Sequence, residues 1–269
     1  MSAGPDELRD IALAVGREAA VLARAMREEG VDVADTKSSG TDVVTRADRA
    51  VEDLLRRRIL EQRPDDSILG EEGDDHAGTS GVRWIVDPID GTVNYLYGLR
   101  DCAVSVAAER DGELVAGAVV GIGAPVEYAA ATGHGATRDG QPISVRPDTP
   151  VGQRLVHTGF GYRAEVRAHQ SACLARLLPQ VRDIRRFGSA ALDICHVADG
   201  SGDAYVEEGP MPWDWSAAAV VLREAGGRFG VLPGTMALEG WPAESVVVAT
   251  PADGWDAFVG LLREAGFLA

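Results

Sequence analysis

The chain has 269 residues, 45% of them hydrophobic, and carries a formal net charge of −16 from 26 Lys+Arg against 42 Asp+Glu. That is enough apolar material for one large domain or two closely packed halves, and no uninterrupted apolar run of about 18 residues offers a membrane span. A chain this acidic repels polyphosphate backbones unless its basic residues are segregated, which argues against a direct nucleic-acid partner.

In chain order, residues 1–10 are polar and acidic, without a basic segment leading into an apolar one, so a cytoplasmic location is expected. Residues 6–29 read as an amphipathic helix, with Leu8, Ile11, Val15, Leu22 and Met26 at helical spacing and Gly30 ending it. Residues 41–44 form a short connector. Residues 45–62 read as a second helix, opened by Thr45 and Asp48 and stopped by Pro64. The basic run Arg56-Arg57-Arg58 falls within it and reads as a solvated face.

Short strands follow at 67–69, 83–86, 102–108, 114–120 and 126–131, with Cys102, Val104 and Val106 on one face of the third. A turn-rich tract over 133–146 closes the first half. Beyond Pro150 strands and helices alternate: strand 154–158, helix 166–178, strand 181–186, helix 189–198, strand 204–207, helix 214–225 closed by Gly226-Gly227, strand 246–249 and helix 254–265. The first half therefore reads as α+β and the second as α/β, with a boundary near residue 145. Cys102, Cys173 and Cys195 are odd in number and widely spaced, which fits small buried apolar groups rather than disulfides or a zinc site. His157, His169 and His196 read as isolated.

The most informative stretch is Trp84-Ile85-Val86-Asp87-Pro88-Ile89-Asp90-Gly91-Thr92. An apolar strand delivers one carboxylate at its end, a proline turns the chain, and a second carboxylate follows before Gly-Thr opens a short helix. Asp and Gly are ordinary turn residues, so a purely structural reading stands beside a functional one. Two further segments shift the balance. Gly70-Glu71-Glu72 places acids after another apolar strand, and Pro212-Trp213-Asp214 places one at the start of an apolar helix. Acids from three separate element ends suit a cage of hard-cation ligands such as Mg²⁺, and backbone amides at Gly91 and Thr92 suit an anion.

These segments, together with Lys37-Ser38-Ser39, Thr41-Asp42-Val43-Val44-Thr45 with Asp48, and Arg185-Arg186-Phe187-Gly188-Ser189-Ala190-Ala191-Leu192-Asp193 followed by Asp203-Ala204-Tyr205, resemble the inositol monophosphatase family across nearly the whole chain, most closely its bacterial SuhB-type branch. The resemblance implies a layered αβαβα sandwich of the inositol monophosphatase and fructose-1,6-bisphosphatase type, a homodimer, Mg²⁺ dependence and lithium sensitivity. It assigns one Mg²⁺ to Glu71, Asp87 and the carbonyl of Ile89, and a second to Asp87, Asp90 and Asp214. It places phosphate on the amides of Gly91 and Thr92, with Glu71 and the Thr92 hydroxyl orienting the attacking water.

The same resemblance sets Asp90, Glu207 and Asp214 against substrate hydroxyls, lines the pocket with Gly188-Ser189-Ala190, and brings Arg185 to the substrate. Lys37 and Asp48 stand close behind the ligands, although Lys37 also reads as a solvated loop lysine and Asp48 as a helix cap. The pattern is departed from after Gly98, where Arg100 stands in place of a common proline. The implied division of labour gives residues 1–145 most metal ligands, and residues 146–269 the substrate contacts and Asp214.

The expected activity is Mg²⁺-dependent hydrolysis of a small phosphate monoester, with myo-inositol 1-phosphate as the favoured substrate because an acidic pocket suits a neutral polyol. Histidinol phosphate, fructose 1,6-bisphosphate and 3′-phosphoadenosine 5′-phosphate are alternatives. A further reading is an added protein-binding role in transcription.

Overall fold

The structure is a computed structural model that describes residues 3–30, 33–36, 43–236, 238, 241, 242 and 244–269. Its first helix, α1 (Pro5–Glu29), begins on a proline with Asp6 and Glu7 in the first turn and ends at Gly30. Proline at this position loses no hydrogen bond, and the two acids face the positive end of the helix. A short antiparallel pair follows, β1 (Val33–Thr36) and β2 (Val43–Thr45), in place of the expected connector. Helix α2 (Arg46–Gln62) is capped as its sequence suggests. The Thr45 side chain accepts the amides of Ala47 and Asp48, and Asp48 accepts the Thr45 amide. Arg56 is not freely solvated, since its Nε lies 2.8 Å from the buried Glu52 carboxylate.

The larger sheet has seven strands in the order β3 (Ser67–Gly70), β4 (Val82–Asp90), β5 (Ala103–Arg110), β6 (Glu113–Gly121), β7 (Glu127–Ala131), β8 (Ala136–Arg138) and β9 (Gln141–Pro142). Only β3 and β4 run parallel; the rest form an antiparallel meander. Between β4 and β5 lies α3 (Thr92–Leu96). In the second half come β10 (Leu155–Thr158), α4 (Ala164–Leu177), β11 (Asp183–Arg185), α5 (Ala190–Ala198), β12 (Ala204–Glu208), α6 (Pro212–Glu224), β13 (Gly227–Pro233), β14 (Glu244–Pro251) and α7 (Trp255–Ala265). Its five strands are ordered β11-β10-β12-β14-β13, with β14 antiparallel to both neighbours.

Five layers result. Helices α1 and α2 cover one face of the large sheet, α5 and α6 fill the space between the two sheets, and α4 and α7 lie outside the small one. The αβαβα sandwich is therefore present. The position of β5 explains one difference from expectation. Residues 103–108 are buried on both faces, not one, because α1 packs on one side and α6 on the other. The three cysteines are free and buried, as expected. Among the described residues, no helix is long and apolar enough to cross a membrane.

The central layer is packed backbone to backbone. A Cβ built on Gly117 of β6 would lie 2.5 Å from the carbonyl oxygen of Ala217 and 2.8 Å from its Cα. Neither atom can swing aside as a side chain would. Gly117→Ala should therefore lower stability by roughly 1–3 kcal/mol, measured by urea unfolding.

Candidate active site

The site is built where strand ends meet helix starts. Parallel pairing sets Gly70 of β3 opposite Val86 of β4, so Glu71, just past the end of β3, stands beside Asp87 within β4. The turn after β3 is held by the buried Glu52, which accepts the amides of Glu72 at 2.8 Å and Gly73 at 2.9 Å. A Cβ on Gly70 would meet the same carboxylate at 2.4 Å, so this close approach needs a glycine.

Along β4, Asp87 stands opposite Ser105 and Asp90 opposite Ala103. Three steps on one strand match two on the other, which is a bulge centred on Pro88. The strand therefore runs through the proline to Asp90, beyond its expected end at residue 86. Its extra residue re-aims Asp90 toward α5. There the Ser189 hydroxyl donates to Asp90, as do the amides of Ala190 at 3.2 Å and Ala191 at 2.8 Å.

Gly91 then adopts a left-handed conformation (φ +90°) before α3. A Cβ there would lie 2.8 Å from the carbonyl of Asp101. The Thr92 hydroxyl is within reach of Asp48 Oδ1 at 3.2 Å and the Ile89 carbonyl at 3.1 Å. Asp48 is thus both the cap of α2 and the partner of Thr92. Asp214 enters from the first turn of α6, where its carboxylate accepts the Met211 amide at 2.6 Å.

Glu71, Asp87, Ile89, Asp90, Gly91, Thr92, Gly188, Ala190, Glu207 and Asp214 line one cavity of about 380 Å³. Asp87, Asp90 and Asp214 each place an oxygen within 4.8 Å of the others. The Glu207 carboxylate accepts the Tyr205 hydroxyl at 2.7 Å and lies directly over Gly159, where a Cβ would displace it. Two expected contacts fall elsewhere. Ser189 is fully buried and caps α5, so its hydroxyl holds Asp90 instead of lining the cavity. Arg185 sits on β11 and bonds Asp183 at 2.6 Å, while the next residue, Arg186, reaches the cavity. Lys37, with Ser38, Ser39, Thr41 and Asp42, lies outside the described residues.

The arrangement is electrostatically costly. Burial is the main cause that pushes the Asp90 carboxyl up to about 7, with its three hydrogen bonds opposing and the nearby Glu207 adding to the rise. Glu207 is also pushed to about 7, again chiefly by burial. Asp214 is driven well above the usual carboxylate range by burial, then by the like charges of Glu71 and Asp90. Such a set of oxygen donors is chemically suited to a hard divalent cation, whose charge would offset the repulsion.

Several features escaped sequence reasoning. The cavity wall formed by Phe160, Tyr162, Arg163 and Trp241 carries no motif of its own. Glu208 points away from Glu207, into the outer layer, with its Oε2 3.4 Å from His169 Nε2. The histidines are not isolated, since folding sets His157 and His196 around Asp193. Both rest on pairings between distant segments, which single-chain periodicity does not encode.

The model of the inositol monophosphatase family matches residues 5–264 of this chain. The chain belongs to that family. An inositol-1-monophosphatase of Mycobacterium leprae is 45% identical over 240 residues, covering 82% of each chain. The inositol-1-monophosphatase SuhB of Mycobacterium tuberculosis is 43% identical over 242 residues, covering 83% of each. The solved M. tuberculosis SuhB structure superposes over the whole of both chains with a TM-score of 0.84 and 38% identity. A Xylella fastidiosa relative, 38% identical over 192 residues and covering 71% of this chain and 70% of its own, bears the name Nus factor SuhB. The chain is accordingly a phosphoric monoester hydrolase of this family, and the family is metal-dependent.

Two outcomes follow from the geometry. Asp90 and Glu207, with raised midpoints, hold protons in the folded chain that the unfolded chain releases near pH 4. Stability of the protein in EDTA should therefore fall as pH rises from about 4 through about 7. Excess Mg²⁺ should flatten that decline in thermal-melt series. Ser189→Ala removes one hydrogen bond that holds Asp90, and should raise the divalent-cation concentration for half-maximal rate by about tenfold or more.

Proposed function

We propose that the chain hydrolyses myo-inositol 1-phosphate to myo-inositol and phosphate, with Mg²⁺ as the metal. The observation that carries this reading is the meeting of Glu71, Asp87, Asp90 and Asp214, from β3, β4 and α6, in one cavity. One Mg²⁺ would be held by Glu71, Asp87 and the Ile89 carbonyl, and a second by Asp87, Asp90 and Asp214. When bound, the ions supply positive charge to the phosphate oxygens and make a water molecule acidic enough to attack near neutral pH.

The chain's own residues do the rest. The Thr92 hydroxyl, with its proton directed to Asp48, presents its lone pairs to the attacking water. Glu71 lines the same pocket and would accept the water's proton. The amides of Gly91 and Thr92 bind the phosphate, placed by the left-handed turn at Gly91. Gly188 and Ala190 leave room for the ring, and Glu207 and Asp214 accept hydrogen bonds from its hydroxyls.

The substrate follows from charge. Arg163 and Arg186 are the basic side chains on the cavity wall among the described residues, set against five or more acids. That balance favours a neutral polyol over a bisphosphate or a nucleotide. Residues 1–145 supply Glu71, Asp87, Asp90 and Thr92, and residues 146–269 supply Asp214 and the polyol contacts, which is the division we propose for the two halves. The protein would work as a cytoplasmic homodimer inhibited by lithium. The name of the Xylella relative supports a second reading, an additional protein-binding role in transcription.

Purified protein should release phosphate from myo-inositol 1-phosphate with Mg²⁺ and lose that activity in EDTA. Asp87→Asn should reduce kcat/KM by more than about 10²-fold while leaving the circular-dichroism spectrum unchanged. Faster turnover of histidinol phosphate, fructose 1,6-bisphosphate or 3′-phosphoadenosine 5′-phosphate in the same panel would replace the substrate and keep the chemistry.

A further inference from the structure

Behind the acidic cavity lies a second constellation with different chemistry. His157 on β10 and Asp193 and His196 on α5 each place one donor atom within 4.8 Å of the others. His157 and Asp193 are both about 1% exposed. His157 Nδ1 is 2.8 Å from Asp193 Oδ1. His196 Nδ1 approaches the same oxygen at 4.0 Å, too far for a hydrogen bond, and this buried nitrogen has no partner. Ligand atoms of a tetrahedral zinc, with bonds of about 2.0–2.1 Å, stand roughly 3.3 Å apart, so this gap would close by several tenths of an ångström on binding.

We infer that His157, Asp193 and His196 form a binding site for a borderline divalent cation of the Zn²⁺ class, distinct from the carboxylate cage. Three protein ligands with a fourth position left to water is a known zinc arrangement. Imidazole donors favour such a cation over Mg²⁺, which takes oxygen ligands. The ligands are held in place. Phe187 packs edge-on against His157 and His196, with centroids 5.3 and 5.6 Å away. Gly202 lies against the far nitrogen of His157, since a Cβ there would be 2.7 Å from Nε2. The His196 side chain is 24% exposed, which leaves an entry path.

The charge state is suitable. Burial, and then the cation of Arg185, lowers the His157 imidazole to about 4, and burial lowers His196, so both are neutral ligands at pH 7. Burial raises Asp193 well above the usual carboxylate range, so an entering cation would displace a proton there. Asp199, Asp101 and Asp203 add negative potential around the pair of rings.

The test is equilibrium dialysis against Zn²⁺ at pH 7.5 in a large excess of Mg²⁺, scored as the difference between wild type and cluster variants so that Zn²⁺ on the carboxylate cage cancels. The wild-type protein should retain one Zn²⁺ more than the variants. His196→Gln and Asp193→Asn should weaken retention by about tenfold or more, and His134→Gln, at an exposed histidine, should leave it unchanged. Equal retention by wild type and both cluster variants would overturn the site. If the variants do not fold, Co²⁺ titration of the wild type followed by NMR decides the matter. Broadening of the His157 and His196 ring signals before those of His76, His134 and His169 supports the site, and broadening of the others first refutes it.

Discussion

Like charges forced together are the constraint on which this molecule is organised. Asp87, Asp90 and Asp214 meet within 4.8 Å, and Glu71 adds to their repulsion. The fold offsets this with aligned backbone dipoles. Asp90 accepts two amides and a hydroxyl at the start of α5, and Asp214 sits in the first turn of α6, where the positive end of a helix favours an anion. Asp87 accepts the Ile89 amide across the bulge at 2.9 Å. These contacts lower the cost of assembling the cluster but do not cancel it, as the raised Asp90 carboxyl shows. What remains is a standing attraction for a divalent cation. Affinity for metal is thus stored as unfavourable electrostatics in the folded chain.

That arrangement requires α5 and α6 to be fixed with little freedom, and their place between two sheets provides it. The inward faces of these helices are rich in alanine and valine, from Ala217 to Val221 on α6 and from Ala191 to Ala198 on α5. Small side chains let both sheets approach closely, and Gly117 against Ala217 takes the approach to its limit. A position set by backbone against backbone has no rotamer to relax into. The packing that buries the core is therefore the same packing that aims the acids, and core and site cannot vary independently.

Much of this was legible in the chain itself because the chemistry sits in local motifs. Glu71, Asp90 and Asp214 mark element ends, Asp87 belongs to the same motif as Asp90, and the Thr45–Asp48 pair marks a helix start. Other features were not legible for identifiable reasons. The strand β13 begins Gly-Arg-Phe-Gly, which reads as the continuation of a helix-ending turn; only pairing with β14 makes it a strand. The bulge at Pro88 hides a nine-residue strand behind a residue that usually ends one. Ser189 sits in a motif that reads as pocket lining, yet a serine preceding a helix is equally a cap, and here capping and holding Asp90 are one act.

Alternation along β12 sends the carboxylates of the adjacent Glu207 and Glu208 to opposite faces. Ala204 and Val206 face the outer layer with α7, while Tyr205 faces the central layer with α5 and α6. Glu207 follows Tyr205 and so turns its carboxylate to the cavity; Glu208 also borders the cavity but follows Val206, and its carboxylate meets His169 and Ser245. The neighbouring strand obeys the same rule. His157 is in register with Tyr205, which brings it to the central layer and against Asp193. One side of two parallel strands thereby carries both the cavity wall at Glu207 and the imidazole of the second constellation, while the other side is left to the apolar outer core. A one-residue slip in either strand would exchange the two faces, burying Val206 against the cavity and turning Glu207 into the outer core. The register of β10 with β12 is therefore as much a determinant of the site as the acids themselves.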